Sequence, residues 1–183
     1  QKFVKYSLLQ LMVIWFTGMS GSGKSTLSKE LIKHLTGIGK KVLLLDGDEI
    51  RSKVDCTFDF SVQSIKENNF KIIDFCKENI NLYDFIIVSI IAPFEETRKY
   101  ARHIIGDNYK EIFIKASLNT LIKRDTKGLY QKARNGELNN LIGVDPNTPY
   151  QIPVDSDLII DTDLETKDQS FKKLLSSVLK RNI

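Results

Sequence analysis

Gly18-Met19-Ser20-Gly21-Ser22-Gly23-Lys24-Ser25 is the stretch on which the reading of this chain turns. Its spacing, G-x-x-x-x-G-K-[ST], is that of a phosphate-binding loop. The apolar run Met12-Val13-Ile14-Trp15-Phe16 precedes it and a helix-like stretch opens near Thr26, so the loop sits between a strand and a helix. Gly18, Gly21 and Gly23 let the backbone fold so that successive N–H groups, those of Ser20 and Ser22 among them, face an anion. Lys24 is then expected to reach the β- and γ-phosphate oxygens of a nucleoside triphosphate, with the Ser25 hydroxyl placed to ligate Mg²⁺.

Outward from that loop, short apolar runs alternate with amphipathic stretches, the pattern of a parallel sheet covered on both faces by helices. Strands are expected at 12–17, 41–45, 85–91, 111–116 and 158–160. Helices are expected at 24–36, closed by Gly37 and Gly39; at 61–78, capped by Ser61; at 94–105, after Pro93 stops the third strand; at 118–124; and at 167–181. This is an α/β fold with a five-stranded, mainly parallel sheet. Between 125 and 153 no period is sustained, and Gly128, Gly136, Gly143, Pro146, Pro149 and Pro153 lie among charges. An irregular stretch of that length inside a compact domain points either to a functional lid or to disorder.

The 183 residues, 42% of them hydrophobic, predict one domain over 1–183 with a sizeable core, residues 1–11 being an N-terminal extension. The formal charge of +4 is modest and the basic residues are dispersed, so a nucleic-acid surface is not indicated and a small anionic ligand suffices. Cys56 and Cys76 form no C-x-x-C pattern, which reads as reduced thiols in a cytoplasmic protein. His34 and His103 are isolated on helical stretches and read as surface positions. The apolar run after Lys2 and Lys5 is about nine residues, too short to span a bilayer. It runs straight into the loop without a small-residue cleavage site, so it is read as a buried strand, with no membrane association.

The second strand leads into Asp46-Gly47-Asp48-Glu49-Ile50-Arg51, which sets two carboxylates and a cation at the carboxyl edge of the sheet. Ligands bind at that edge in open α/β sheets. A carboxylate there is placed to orient Mg²⁺ through water or to take a proton from an attacking hydroxyl.

Four further stretches follow in order: Ala92-Pro93-Phe94 with Arg98 and Arg102; Arg124-Asp125-Thr126-Lys127-Gly128-Leu129-Tyr130 with Lys132, Ala133 and Arg134; Gly143; and Pro149-Tyr150 with Pro153. Together with the loop and the Asp46 segment, over about residues 12–165, the chain resembles the adenylylsulfate kinases. The K-G-L-Y-x-K-A-R stretch is far more specific than the phosphate loop. The resemblance implies a P-loop kinase fold with a mobile lid. It also implies transfer of the γ-phosphoryl group of ATP to the ribose 3′-hydroxyl of adenylyl sulfate, giving 3′-phosphoadenylyl sulfate and ADP. Carried over by position, Gly18, Ser20, Gly21, Ser22, Gly23, Lys24, Ser25 and Thr26 would hold ATP, Arg124 would lie near it at the lid hinge, and Ser25 and Asp48 would hold Mg²⁺. Asp46, Asp48, Lys24 and Lys127 would be catalytic. The acceptor nucleotide would meet Asp46, Asp48, Arg51, Phe60, Asn68, Ile91, Ala92, Lys127, Gly128, Leu129 and Leu141. Family members often form homodimers.

The departures from the family pattern fall on the acceptor side. F-S-x-x-D-R-x-x-N appears as Phe60-Ser61-Val62-Gln63-Ser64-Ile65-Lys66-Glu67-Asn68, with Ile65 in place of the arginine and Lys66 beside it as a candidate substitute. The lid stretch K-N-F-T-G appears as Asn139-Asn140-Leu141-Ile142-Gly143, so Leu141 replaces the phenylalanine that pairs with the Phe60 position around the base. The serine common before Pro93 is Ala92. Every position expected to serve ATP, Mg²⁺ and the attacking ribose is retained. The acceptor therefore stays open between adenylyl sulfate and a related nucleotide, such as that of the cytidine diphosphoramidate kinases of bacterial capsule pathways. A non-catalytic nucleotide-sensing module is the alternative from another class, and Asp46, Asp48, Arg51 and Lys127 argue against it.

Overall fold

The computed structural model describes residues 11–47 and 61–179. Five strands, β1 (Met12–Thr17), β2 (Val42–Asp46), β3 (Phe85–Ser89), β4 (Tyr109–Lys115) and β5 (Leu158–Asp161), form one sheet in the order β2-β3-β1-β4-β5. All four pairings are parallel. The helices between them are α1 (Lys24–Gly37), α2 (Val62–Asn79), α3 (Glu95–Ile105), α4 (Leu118–Arg124), α5 (Leu129–Arg134) and α6 (Lys167–Leu179).

The two-residue period of β1 divides the core. Val13 and Trp15 face one layer, with Ile86 and Val88 of β3, against Ile72, Ile73 and Cys76 of α2 and Ala101 and Ile105 of α3. Ile14 and Phe16 face the other, against Leu27, Leu31 and Leu35 of α1 and Leu174 and Val178 of α6. Both faces of the central strand are therefore dry, which is why it reads as an unbroken apolar run instead of an alternation. Burial pushes the Cys76 thiol up to about 12, so it packs as a small hydrophobe.

Local signals account for most boundaries. Ser61 caps α2 by accepting from the Ser64 N–H, and Gly39, at φ +79°, follows α1 with its N–H on the Thr36 carbonyl. Two strand boundaries differ from expectation by two residues, and one helix was not expected. β3 ends at Ser89, two residues early and ahead of Ala92 at φ +45°, while the Ile91 carbonyl still accepts from the Gly18 N–H (3.3 Å), in the β1–β3 register, and from the Thr17 hydroxyl (2.6 Å). β4 begins at Tyr109, which pairs with Val13. The stretch expected to be irregular contains α5. Among the described residues no helix is long and apolar enough to cross a membrane.

Candidate active site

The carboxyl ends of β1, β2 and β3 converge on the phosphate loop. Gly21 and Gly23 take φ +77° and +111°, backbone that only glycine adopts without strain, and Gly23 is the N-cap of α1. Lys24, the first residue of that helix, is 8% exposed and its ammonium donates to the Gly18 carbonyl (2.7 Å) and the Met19 carbonyl (2.9 Å). One position on, the Ser25 hydroxyl donates to Asp46 Oδ2 at 3.3 Å. Asp46 ends β2 in register with Ser89 of β3, so the loop's hydroxyl and the edge carboxylate meet because β3 separates their strands by one position.

Above this edge lies a cleft of about 450 Å³. Its floor is Ser20, Gly21, Gly23, Lys24, Ser25 and Thr26, with Asp46 and Gly47 beside them. One wall is Ile65, Asn68 and Asn69 of α2 with 89–93; the other is Thr126, Lys127 and Leu129, and residues 138–142 close the top. Of the residues singled out in the sequence, Asn68, Ile91, Ala92, Lys127, Leu129 and Leu141 thus share the cleft with the loop and Asp46. Asp48, Arg51 and Phe60 lie outside the described residues.

Four predicted positions stand off the cleft wall. Gly18 is behind it, where a Cβ would come within 2.5 Å of the Ile114 carbonyl oxygen. Ser22 is 1% exposed, and its Oγ has no hydrogen-bond partner among the described residues. Gly128, at φ +67°, is the N-cap of α5. The Arg124 guanidinium donates to the Thr162 hydroxyl (3.0 Å) and carbonyl (2.8 Å), which ties α4 to the turn after β5.

Residues beyond those predicted for the site brace it. Thr17 carries the Tyr150 hydroxyl at 2.9 Å as well as the Ile91 carbonyl, so the end of the 125–153 segment is fastened to the strand that launches the phosphate loop. Burial raises the Tyr150 pKa, so the hydroxyl stays neutral. Arg98, 3% exposed, donates to the carbonyls of Ala92 and Gln151, each at 2.7 Å, and faces Glu111 at 3.8 Å. It thereby holds Ala92 at φ +45° in the cleft wall. Burial also raises the Glu111 pKa, against the Tyr109 hydroxyl and the Arg98 charge that favour the carboxylate. Arg98 is visible in the sequence as part of a motif, but its carbonyl partner Gln151 lies far along the chain and no spacing announces it.

Over the top, Leu141 packs with Leu121 of α4 and Tyr130 of α5, while Ile142 packs with Ile65 of α2 and Phe94. Two consecutive residues therefore bridge opposite walls. The Tyr130 hydroxyl donates to the Ser20 carbonyl at 2.8 Å, joining α5 to the phosphate loop. Lys66 does not replace the arginine missing at Ile65: its ammonium pairs with Glu96 and lies over the Phe94 ring.

A parallel sheet of this order, with a lysine-bearing glycine loop on its central strand and a carboxylate on the second strand of the chain, defines a P-loop kinase, an ATP-dependent phosphotransferase. Comparison with known proteins narrows the class. The family model for adenylylsulphate kinase matches residues 10–161, and the chain belongs to that family. It is 36% identical over 164 residues to the adenylyl-sulfate kinase of Clostridium kluyveri, covering 90% of this chain and 81% of that one. With the adenylyl-sulfate kinase of Staphylococcus epidermidis it shares 38% over 164 residues, 89% of this chain and 81% of the relative. The Mycobacterium tuberculosis APS kinase CysC, solved in complex with AMPPNP and APS, superposes with a TM-score of 0.82 at 31% identity over 93% of this chain and 99% of that one. Membership of an enzyme family sets aside the reading as a non-catalytic sensor.

Proposed function

We propose that the protein transfers the γ-phosphoryl group of ATP to the ribose 3′-hydroxyl of a 5′-modified nucleotide, with adenylyl sulfate the first acceptor to consider. The observation that carries this is the contact of Ser25 with Asp46 on the floor of the cleft that Asn68 and Lys127 also line. In this reading the loop N–H groups and Lys24 hold the β- and γ-phosphates. Asp46 faces the acceptor side, where a carboxylate takes the proton of the attacking hydroxyl as the new P–O bond forms and the bond to ADP breaks. Lys127 neutralises charge on the transferring group, and Asn68 and the backbone of Ile91 and Ala92 position the acceptor. Asp48, Arg51 and Phe60 are assigned to metal, acceptor anion and base by their places in the family pattern.

The donor set suits Mg²⁺. The Ser25 hydroxyl is a hard ligand, the Asp46 carboxylate beside it keeps the surroundings negative, and Mg²⁺ in such sites takes one or two protein oxygens with the rest from phosphates and water. When bound, the ion supplies charge neutralisation at the phosphates.

A cytidine diphosphate derivative is the second reading, and Leu141 favours it. Its side chain is engaged with Leu121 and Tyr130, so the lid offers aliphatic surface in place of the family's ring. A lost ring costs about 1–3 kcal/mol of base stacking, a loss that falls hardest on a purine acceptor. ADP release measured with adenylyl sulfate and with cytidine diphosphoramidate tests both. Turnover of one, lowered roughly 10²–10⁴-fold in Asp46→Asn with ATP binding kept, is expected. Absence of turnover on either, or an Asp46→Asn protein as active as the parent, overturns the reading.

A further inference from the structure

We propose that Ile65 and Ile142 set which acceptor the enzyme takes, by forming an uncharged wall that withholds any preference for a second negative charge on the acceptor. The inference rests on the function proposed above and deepens it. Ile65 lies on α2 and Ile142 in the stretch over the cleft, and both line the cleft. They are 5% and 9% exposed and pack together with Phe94, so they make a single apolar surface. Each stands where the family pattern has a polar residue, arginine in F-S-x-x-D-R-x-x-N and threonine in K-N-F-T-G. Two positions far apart in the chain have thus changed in the same sense and meet in space.

A single arginine lost by drift would leave a polar, hydrated gap beside the lid threonine. Here the partner position is apolar as well, and the pair is closed and dry. An anionic group brought against such a surface sheds water and gains no partner, whereas an uncharged part of a ligand is accepted without that cost. The neighbouring cation does not compensate, because Lys66 is directed to Glu96 and lies over the Phe94 ring.

The test compares adenylyl sulfate with the methyl ester of adenosine 5′-phosphate, which has the same base and 3′-hydroxyl and one charge fewer. The readout is the ratio of kcat/KM for the two acceptors, on the parent and on the double variant I65R/I142T. In the parent the ratio is expected within about threefold of unity. In the double variant it should shift toward adenylyl sulfate by roughly tenfold or more, the span of one charge-assisted hydrogen bond. The change should come through the acceptor KM, with the KM for ATP unchanged. I65V, which alters shape without charge, should leave the ratio where it is. A parent that already favours adenylyl sulfate by about tenfold, a measurement that needs no variant to fold, overturns the inference. So does an unmoved ratio in a folded double variant, or an equal shift in I65V. Turnover of neither acceptor by a parent that does turn over cytidine diphosphoramidate overturns this inference and leaves the proposed function standing, whereas turnover of none of the three removes both.

Discussion

At Gly18 a methyl group has no room. A Cβ would stand 2.5 Å from the Ile114 carbonyl oxygen and 2.8 Å from Ser22 Oγ, and the residue's φ is +152°. The obstructing carbonyl belongs to β4, which is hydrogen-bonded to strands on both sides and cannot give way. Gly143 meets an equally close neighbour, but that neighbour is the Met19 terminal methyl, which can swing aside. Gly18→Ala is therefore expected to cost about 2–4 kcal/mol in chemical denaturation and to weaken nucleotide binding, since the loop must shift to relieve the contact. Full stability in that variant would contradict the geometry. The first glycine of the motif is legible in the sequence as a turn residue. That it is needed for the close approach of β4 is visible only once the strands are ordered.

At the scale of elements, α5 shows what pattern reading misses. Six residues are too few to hold a helix in water, and they carry no apolar period long enough to detect. The helix is held from outside itself. The Asp125 carboxylate accepts the N–H groups of Tyr130 (3.0 Å) and Gln131 (2.9 Å), and Tyr130 is buried against Leu121 and Leu141 with its hydroxyl on Ser20. Asp125→Ala should remove about 1 kcal/mol of capping. The expected outcome is faster proteolytic cleavage within 125–136 and a several-fold fall in kcat/KM, with a melting temperature within a few degrees of the parent. A variant as protease-resistant as the parent would show that the cap is dispensable. By contrast α2 was legible in its cap and extent: Ser61 is a strong cap residue, and Ile65, Ile72 and Ile73 recur at helical spacing and are buried, although Phe75 on the same helix is exposed and Asn69 is buried.

The whole molecule couples its core to the site through β1. Trp15, the single tryptophan, is fully buried three residues before Gly18, with its ring 6.0 Å from that of Tyr109. Its fluorescence therefore reports on the strand that carries the phosphate loop. Unfolding followed by Trp15 and by far-UV circular dichroism is expected to coincide in one transition. Nucleotide at about one hundred times its dissociation constant should raise the melting temperature by about 5–10 °C. Two separated transitions, or a melting temperature indifferent to ADP, would mean that loop and core do not share one cooperative unit.

The class of fold and the position of the phosphate loop are legible in the chain alone, because both rest on local signals: glycines needing positive φ, a two-residue and a 3.6-residue period, a cap residue and a proline. The sequence also named Lys24, Ser25 and Asp46, which the sheet order then brings to one edge. The contacts made across the chain emerge in the folded molecule alone. The Ile91 carbonyl is tied to Gly18 and Thr17, and Arg98 is a brace because Ala92 and Gln151 converge on it. Ile65 and Ile142 become one wall because α2 and the stretch over the cleft meet there. Burial and pairing between distant segments leave no period and no spacing in the chain, so their consequences are read from the folded molecule.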